Sequence, residues 1–303
     1  THYPLSYFEI LTLMALLYFN EEQVDVALIE VGIGGLLDTT NVVAGDIAVV
    51  TSVGLDHQET LGDSIAAIAE QKAGIFKEKK VAVIGPLAEE ARRICKLRAK
   101  KLDVVLYEYG RDFSFSKGQF FSPDVNIPHL KLSLAGTYQE ENAAVALQSF
   151  LLFMGQHSWQ VQIELVRKAL QETHWAGRLE YFERGIYLDG AHNLPALSRL
   201  VEFIRQQEQK EIFLLFGALK RKNYQGMLSY LKQELPHVQL FVTTFEDNGA
   251  IDKRNLTTET YVSSYREFIE QFIKNSTDNQ LLFVTGSLYF IAEVRAFLLE
   301  KEI

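Results

Sequence analysis

The sequence predicts an α/β fold in two domains, and three observations carry that reading. Short β-branched runs alternate with stretches of helical periodicity along most of the chain. Strands separated by helices imply parallel pairing, because parallel neighbours need a crossover connection. The chain has 303 residues, 48% of them hydrophobic, which is enough for two ordinary cores and excludes disordered and collagen-like classes.

Residues 8–19 read as a mostly apolar helix. Residues 24–31 (VDVALIEV) form a short β-branched run ending at Gly32, hence a buried strand, and residues 46–53 form a second. Helical spacing of Leu61, Ile65, Ile68, Ala69, Ala73 and Phe76 predicts one helix over 60–76. A strand at 81–84, a charged helix at 87–101 and a strand at 104–107 follow. The pattern then changes: Phe113, Phe115, Phe120 and Phe121 lie among Gly118, Pro123 and Pro128, which predicts a small antiparallel β-insert over 112–133. Helices are expected at 140–154 and 161–173. The alternation restarts at Leu179, with strands at 186–188, 212–216, 239–243 and 281–285 and helices at 195–207, 224–234, 265–274 and 288–300. The expected boundary is Ala176–Gly177, dividing 1–176 from 177–303.

Thirty Lys and Arg against 39 Asp and Glu give a net charge of −9. That balance argues against a general nucleic-acid binder, whose affinity comes from neutralising phosphates. It leaves room for a nucleotide, which needs only a local positive site. Cys95 is the single cysteine, so no intramolecular disulfide forms and a reducing compartment fits. The longest apolar run, near 11–19, is too short to span a bilayer. No signal-peptide pattern is visible. The expectation is a cytoplasmic protein with small-molecule partners and no nucleic-acid or membrane partner.

Several turns concentrate chemistry where ligands gather, at the carboxyl ends of strands. Glu30 precedes Gly32, Gly34 and Gly35; the G-x-G-G spacing does not meet the dinucleotide fingerprint, and an ordinary strand-to-loop turn is the competing reading. Asp56 and His57 in TSVGLDH follow the next strand. A carboxylate and an imidazole there could hold a metal, although Mg²⁺ prefers oxygen and spacing alone favours an ordinary loop histidine. Lys72 sits among the small residues Ala69, Ala73 and Gly74. In LDGAHNLP, Asp189 and His192 flank a turn made by Gly190; Pro195 suits the first turn of the next helix, and Asn193 suits its cap. Ser287 in TGSLYF caps a helix whose free N–H groups also suit an anion. There is no G-x-x-x-x-G-K-[ST] loop, G-x-S-x-G elbow, C-x-x-C pair or H-E-x-x-H.

Taken in order, EVGIGGLLDTTNVV (30–43), TSVGLDHQETLGDSIAAIAEQKAGIFK (51–77), GTYQEENAAVAL (136–147), GRLEYF (177–182), LDGAHN (188–193) and TGSLYFIAEVR (285–295) resemble the motifs of the folylpolyglutamate synthase/dihydrofolate synthase family, a branch of the Mur ligases. The resemblance implies a P-loop-type Mur ligase central domain with a small β-insert, followed by a smaller Rossmann-like α/β C-terminal domain. It implies ATP-dependent ligation of L-glutamate to folate or dihydropteroate through an acyl phosphate, with ATP and Mg²⁺ bound and a monomeric chain. Glu30 and His57 match Mg²⁺ ligands. Lys72 matches a lysine carbamylated on Nζ, whose anionic product binds a second Mg²⁺. Asn142 and Arg178 match nucleotide contacts, and Asp189 matches a carboxylate at the nucleotide. His192 resembles a residue on the glutamate/acyl-phosphate side, and Ser287 and Tyr289 match residues facing the site.

Three departures accompany the resemblance. The family's opening strand, G-T-N-G-K-G-[ST] loop and helix have no counterpart in this sequence, which starts at Thr1; the central domain is therefore expected to be truncated. Leu36 stands where the family usually has Arg, and LKRKN (219–223) stands for a D-K-D-like segment. The competing functions are a Mur-type ligase for another acid and a non-catalytic nucleotide- or folate-binding paralogue. The expected outcome for these 303 residues alone is little or no ATP-dependent incorporation of labelled glutamate into folate. Turnover equal to that of a version extended through a phosphate loop overturns that expectation.

Overall fold

The structure, a computed structural model, describes residues 4–207 and 210–301; Thr1 lies outside them. They group into two compact units, Thr1–His129 with Glu141–Ile163, and Leu130–Glu140 with Glu164–Ile303. The position Ala176–Gly177 lies within the second unit. The segment ahead of it belongs there because Ala135 and Tyr138 pack on that unit's core and the Ser133 N–H donates to the Leu170 carbonyl at 3.2 Å.

In the first unit, α1 (Tyr7–Glu21) begins at a reciprocal cap: Ser6 Oγ accepts from the Glu9 N–H, and the Glu9 carboxylate accepts from the Ser6 N–H at 2.6 Å. The strand expected over 24–31 does not form; that stretch is irregular and leaves Leu28 92% exposed. A β-branched run becomes a strand only where a neighbour takes its N–H and C=O groups, and no described strand pairs with it. The sheet is β1 (Ile47–Val50), β2 (Val81–Ile84) and β3 (Val105–Glu108), all parallel and in that order. The single helix expected over 60–76 is two, α2 (Gln58–Leu61) and α3 (Ile65–Ala73). Gly62 at φ 98° is incompatible with a continuous helix, and Ser64 caps α3 by accepting from the Ala67 N–H at 3.1 Å. Small residues let α3 and α4 (Glu89–Lys101) approach closely: Ala69, Ala73, Ala91, Cys95 and Ala99 share one core with Val50, Ala82 and Ile84. Burial there pushes the Cys95 thiol up to about 11, so it is a packing residue rather than a reactive one.

The β-insert forms as expected. Strands β4 (Ser114–Ser116), β5 (Gln119–Phe121) and β6 (Asn126–Ile127) make an antiparallel sheet over the buried Phe115, Phe120 and Ile127. Lys117 and Gly118, both at positive φ, make the two-residue hairpin turn. Helices α5 (Tyr138–Gln156) and α6 (Ile163–Glu172) follow.

The second unit is a six-stranded sheet built from β7 (Glu180–Phe182), β8 (Ile186–Leu188), β9 (Glu211–Phe216), β10 (Gln239–Thr243), β11 (Thr260–Val262) and β12 (Gln280–Thr285). Their order is β11-β10-β9-β12-β8-β7, and only β7 runs antiparallel to its neighbour. Alternation splits each central strand between two cores: Leu214, Phe216 and Phe283 pack beneath α7 (Leu194–Arg205) and α8 (Tyr224–Glu234), while Leu215, Leu282 and Val284 pack against α9 (Tyr265–Asn275) and α10 (Leu288–Glu300). Burial on both faces is why these strands read as continuous apolar runs. The three-residue edge strands β7 and β11 lack such runs and were not expected. Among the described residues no helix is long and apolar enough to cross a membrane.

Phe283 is fully buried and stacks on Tyr187 at 5.0 Å. Phe283→Ala is expected to cost about 3–5 kcal/mol, read from the denaturant midpoint of unfolding. A cost under about 1 kcal/mol contradicts this packing.

Candidate active site

In the second unit, parallel strands deliver their following turns to one edge of the sheet. Leu188 ends β8, and Asp189 follows with only 6% of its surface exposed. Its two carboxylate oxygens accept from the Leu179 N–H and the Ala191 N–H, both at 3.0 Å. Burial pushes the Asp189 carboxyl up; these two bonds and the positive charges of Arg178 and His192 pull against that but do not cancel it. Tyr138 belongs to the same cluster: burial, and then the Asp189 charge, push its hydroxyl up to about 12, with Arg178 opposing.

The surrounding backbone is tied together. The Gly190 N–H donates to the Gly177 carbonyl at 2.8 Å, and the Gly286 N–H to the Ala191 carbonyl at 3.1 Å. Glu180 accepts from the Gly177 N–H at 2.8 Å and pairs with Arg295 of α10 at 2.9 Å. The G-R-L-E segment, the D-G-A-H-N turn and the T-G-S turn are therefore one connected structure. Gly177 lies at φ 69°, and a Cβ there would meet Ile291 at 2.4 Å. His192 is half-buried, with Nδ1 bonded to the Gly190 carbonyl at 2.8 Å, which leaves Nε2 as its outward nitrogen. Asn193 caps α7, accepting from the Ala196 N–H at 2.9 Å, and Ser287 caps α10, accepting from the Tyr289 N–H at 3.3 Å. Ser287 is buried, Tyr289 is exposed on the first turn of α10, and Arg178 is exposed. Arg178, Asp189 and His192 are thus brought together, with Ser287 and Tyr289 on the adjoining turn.

In the first unit, Glu30 is exposed in the irregular segment ahead of the glycine turn. That turn is seated on the end of α3. The Leu36 N–H donates to the Gln71 carbonyl at 2.7 Å, and a Cβ on Gly74 would lie 2.3 Å from the Leu36 Cβ. Asn41 Nδ2 donates to the carbonyls of Leu36 (3.0 Å) and Gly74 (3.3 Å), and Lys77 Nζ donates to both oxygens of Asn41. Asp38 holds the turn from inside. Burial raises its carboxyl, but bonds from the Thr40 hydroxyl and from the N–H groups of Ile33, Thr40 and Gly32 outweigh that, and it ends below the usual range. Lys72 is half-buried on α3 one turn from this contact; His57 is exposed at φ 51°, at the start of α2. No described hydrogen bond or ion pair links Glu30, His57 and Lys72 to one another. Among the described residues no three His, Cys, Asp or Glu converge as a metal cluster. Asn142 is exposed on α5.

The two local departures have structural roles. Leu36 packs against Gly74. In LKRKN, Leu219 is buried, Lys220 pairs with Asp252 at 3.3 Å, and Asn223 caps α8 through the Gly226 N–H at 3.1 Å. Sequence reasoning missed Tyr138, Glu180, Arg295, Asn41 and Lys77. All of them were quoted inside motifs without a role, because each acts through a partner distant in the chain.

Gly74→Ala forces the Leu36 backbone to move and is expected to cost about 1–3 kcal/mol, measured by chemical unfolding; an unchanged midpoint refutes the contact. Asp189 binds a proton more readily folded than unfolded, so its contribution is fullest below the unfolded value of 3.8 and declines as pH rises through the folded value. The stability of the wild type relative to Asp189→Asn should therefore fall as pH rises from 3.8 toward neutrality. A flat or rising difference contradicts the raised carboxyl.

A family model for the Mur ligase middle domain matches residues 3–150, and one for the Mur ligase glutamate ligase domain matches residues 177–288. Folylpolyglutamate synthase of Lacticaseibacillus casei is 33% identical over 305 residues, covering 96% of this chain and 71% of that protein. Dihydrofolate synthase/folylpolyglutamate synthase of Bacillus subtilis is 31% identical over 311 residues, covering 95% and 71%. The solved apo form of the L. casei synthase matches with a TM-score of 0.84 at 31% identity, over 98% of this chain and 72% of that one. A solved folylpolyglutamate synthase–AMPPCP–folate complex matches with a TM-score of 0.84 at 32% identity, again over 98% and 72%. With relatives of this identity and coverage, and with the D-G-A-H-N and G-R-L-E turns folded into one cluster, the chain belongs to the folylpolyglutamate synthase branch of the Mur ligase family.

Proposed function

We propose that the protein carrying these 303 residues performs ATP-dependent ligation of L-glutamate to folate, with dihydropteroate as a further acceptor, the 303 residues alone giving little or no turnover. The observation that supports this most is the buried Asp189 turn, with Arg178 and His192 beside it, in a chain matched over 96% of its length by a folylpolyglutamate synthase. ATP as a substrate is supported by the relative solved with AMPPCP and folate. Residues 1–176 are read as the nucleotide-binding part and 177–303 as the glutamate-adding part.

The chemistry needs an activated carboxylate, because a carboxylate is a poor electrophile. Transfer of the γ-phosphoryl group to the folate carboxylate makes an acyl phosphate; the amine of L-glutamate attacks its carbonyl carbon and phosphate leaves. Arg178 supplies a permanent positive charge for nucleotide phosphates, and Asn142 an amide for the nucleotide. Asp189, fixed by two N–H groups, presents a rigid acceptor toward the nucleotide, a role a mobile carboxylate would fill poorly. His192, oriented by the Gly190 carbonyl, offers Nε2 on the glutamate side. Ser287 and Tyr289 line the adjoining turn.

The donors present suit Mg²⁺ in part. Glu30 is an exposed carboxylate, the hard oxygen this ion prefers, whereas His57 offers nitrogen. Neither side chain is engaged elsewhere among the described residues. We assign Glu30 and His57 to a first Mg²⁺, and Lys72, as its carbamate, to a second. An ion held by these residues would supply charge neutralisation for the transferring phosphoryl group. The reading extends to a cytoplasmic monomer.

In a version extended through a phosphate loop, Lys72→Ala is expected to lower glutamate incorporation at least ~100-fold, the scale seen when one charge-stabilising group is removed, with partial rescue by short carboxylic acids. Unchanged turnover in that variant removes the carbamate from the mechanism. No incorporation by a protein that also fails to bind ATP and folate in calorimetry counts against the ligase reading itself.

A further inference from the structure

The opposite edge of the second unit's sheet, where β8, β9 and β12 begin, carries a cavity of about 460 Å³. This size is within the range of small-molecule sites, roughly 300–1,000 Å³. Two cations line it. Arg184 has no carboxylate partner among the described residues. Lys210 Nζ donates to the backbone carbonyl of Asp278 at 2.7 Å and has no carboxylate partner among the described residues. The carboxylate of Glu211 does not serve them, because Gln239 and Gln280 each donate to it at 2.7 Å. Among the described lining residues Asp278 is the one acidic side chain.

The wall beside these cations is aromatic. Tyr181 is 60% exposed, and its ring lies 5.0 Å from that of Tyr187, which stacks in turn on Phe283. The cavity therefore offers a flat π-surface on a rigid aromatic base, beside two positive charges without a carboxylate partner among the described residues. Arg184 is also held in a strained backbone conformation. It lies at φ 60°, ψ 24°, the left-handed region that non-glycine residues avoid, in the turn joining β7 to β8. The turn is pressed against β12, since a Cβ on Gly185 would meet the Gln280 carbonyl oxygen at 2.8 Å. A glycine at 184 would remove that strain, yet an arginine stands there, lining the cavity. Strain kept at a ligand-sized cavity points to a ligand.

We propose that this cavity is a second binding site for a planar aromatic anion, with the ring on Tyr181 and the anionic group on Arg184 and Lys210. Two sources share that chemistry, a nucleoside phosphate and an aroylglutamate. The site is separate from the Asp189 turn, because it lies at the amino ends of the parallel strands and the turn lies at their carboxyl ends. It does not rest on the ligase reading.

The test is isothermal titration of the full chain with ADP and, separately, with 4-aminobenzoyl-L-glutamate, in wild type, Arg184→Gly and Lys210→Gln. Arg184→Gly removes the cation and the backbone strain together, so its melting temperature is expected to hold or rise, and lost binding cannot then be ascribed to unfolding. Each variant should weaken one binding event by about tenfold, the scale of one charge-assisted hydrogen bond. Weakening for ADP identifies a nucleoside phosphate; weakening for the aroylglutamate identifies that source. Unchanged affinity and stoichiometry for both probes in both variants overturns the site, and does so even if the same protein incorporates glutamate normally. Absence of glutamate incorporation by a version extended through a phosphate loop, with Arg184-dependent binding intact, would refute the ligase reading alone.

Discussion

The geometry of the second unit's ligand edge depends on one buried carboxylate. Asp189 has lost nearly all contact with water, and a carboxylate so placed is costly unless hydrogen bonds replace its hydration. It recovers two, from the N–H groups of Leu179 and Ala191. Those donors lie on opposite sides of it in the chain, one on the segment entering β7 and one on the turn leaving β8. Satisfying Asp189 therefore fixes the position of Gly177–Glu180 relative to Asp189–Asn193. The Gly190–Gly177 and Gly286–Ala191 bonds then place the third turn, and the Glu180–Arg295 pair anchors the set to α10. Arg178 and His192 gain their locations from this framework, without holding it together themselves.

The first unit solves the same problem with glycine rather than charge. Residues 34–36 reach the end of α3 only because Gly35 and Gly74 have no Cβ; at either position an added methyl would strike backbone. Hydrogen bonds through Asn41 and Lys77 then clamp the turn to the helix. In consequence the chain following Glu30 and the helix bearing Lys72 are held in one piece. The carboxylate that organises this turn, Asp38, is depressed where Asp189 is raised. The difference is the balance of burial against donors: Asp38 is less buried and receives more hydrogen bonds.

The overall charge of −9 is a poor guide to where anions bind. Positive charge is local in this molecule. It is placed beside Asp189 by Arg178 and at the opposite sheet edge by Arg184 and Lys210. Both places combine a cation with backbone held by a left-handed residue, Gly177 in one and Arg184 with Gly185 in the other. The common reason is geometric: a chain must turn sharply to leave a strand and expose a charged side chain at the sheet edge, and sharp turns use positive φ.

Patterns within a few residues settled much of this protein. Central strands β9 and β12 were legible as continuous apolar runs because both faces are buried, and the helices because their periodicity reports a single buried stripe. The caps Asn193 and Ser287 were legible because capping is a contact between near neighbours. The family was legible because six motifs occur in order. Tertiary structure decided the rest. Residues 24–31 have the composition of a strand but no partner in the described structure, so they remain irregular, since hydrogen-bond pairing is not written in a segment's own residues. The single helix expected over 60–76 breaks at Gly62, whose φ depends on how α3 packs. Tyr138, Glu180 and Arg295 matter only through Asp189 and Gly177, up to 118 positions away in the chain. Sequence carries local preference and periodicity; which distant groups meet, and what charge each then bears, follows only from packing and the exclusion of water.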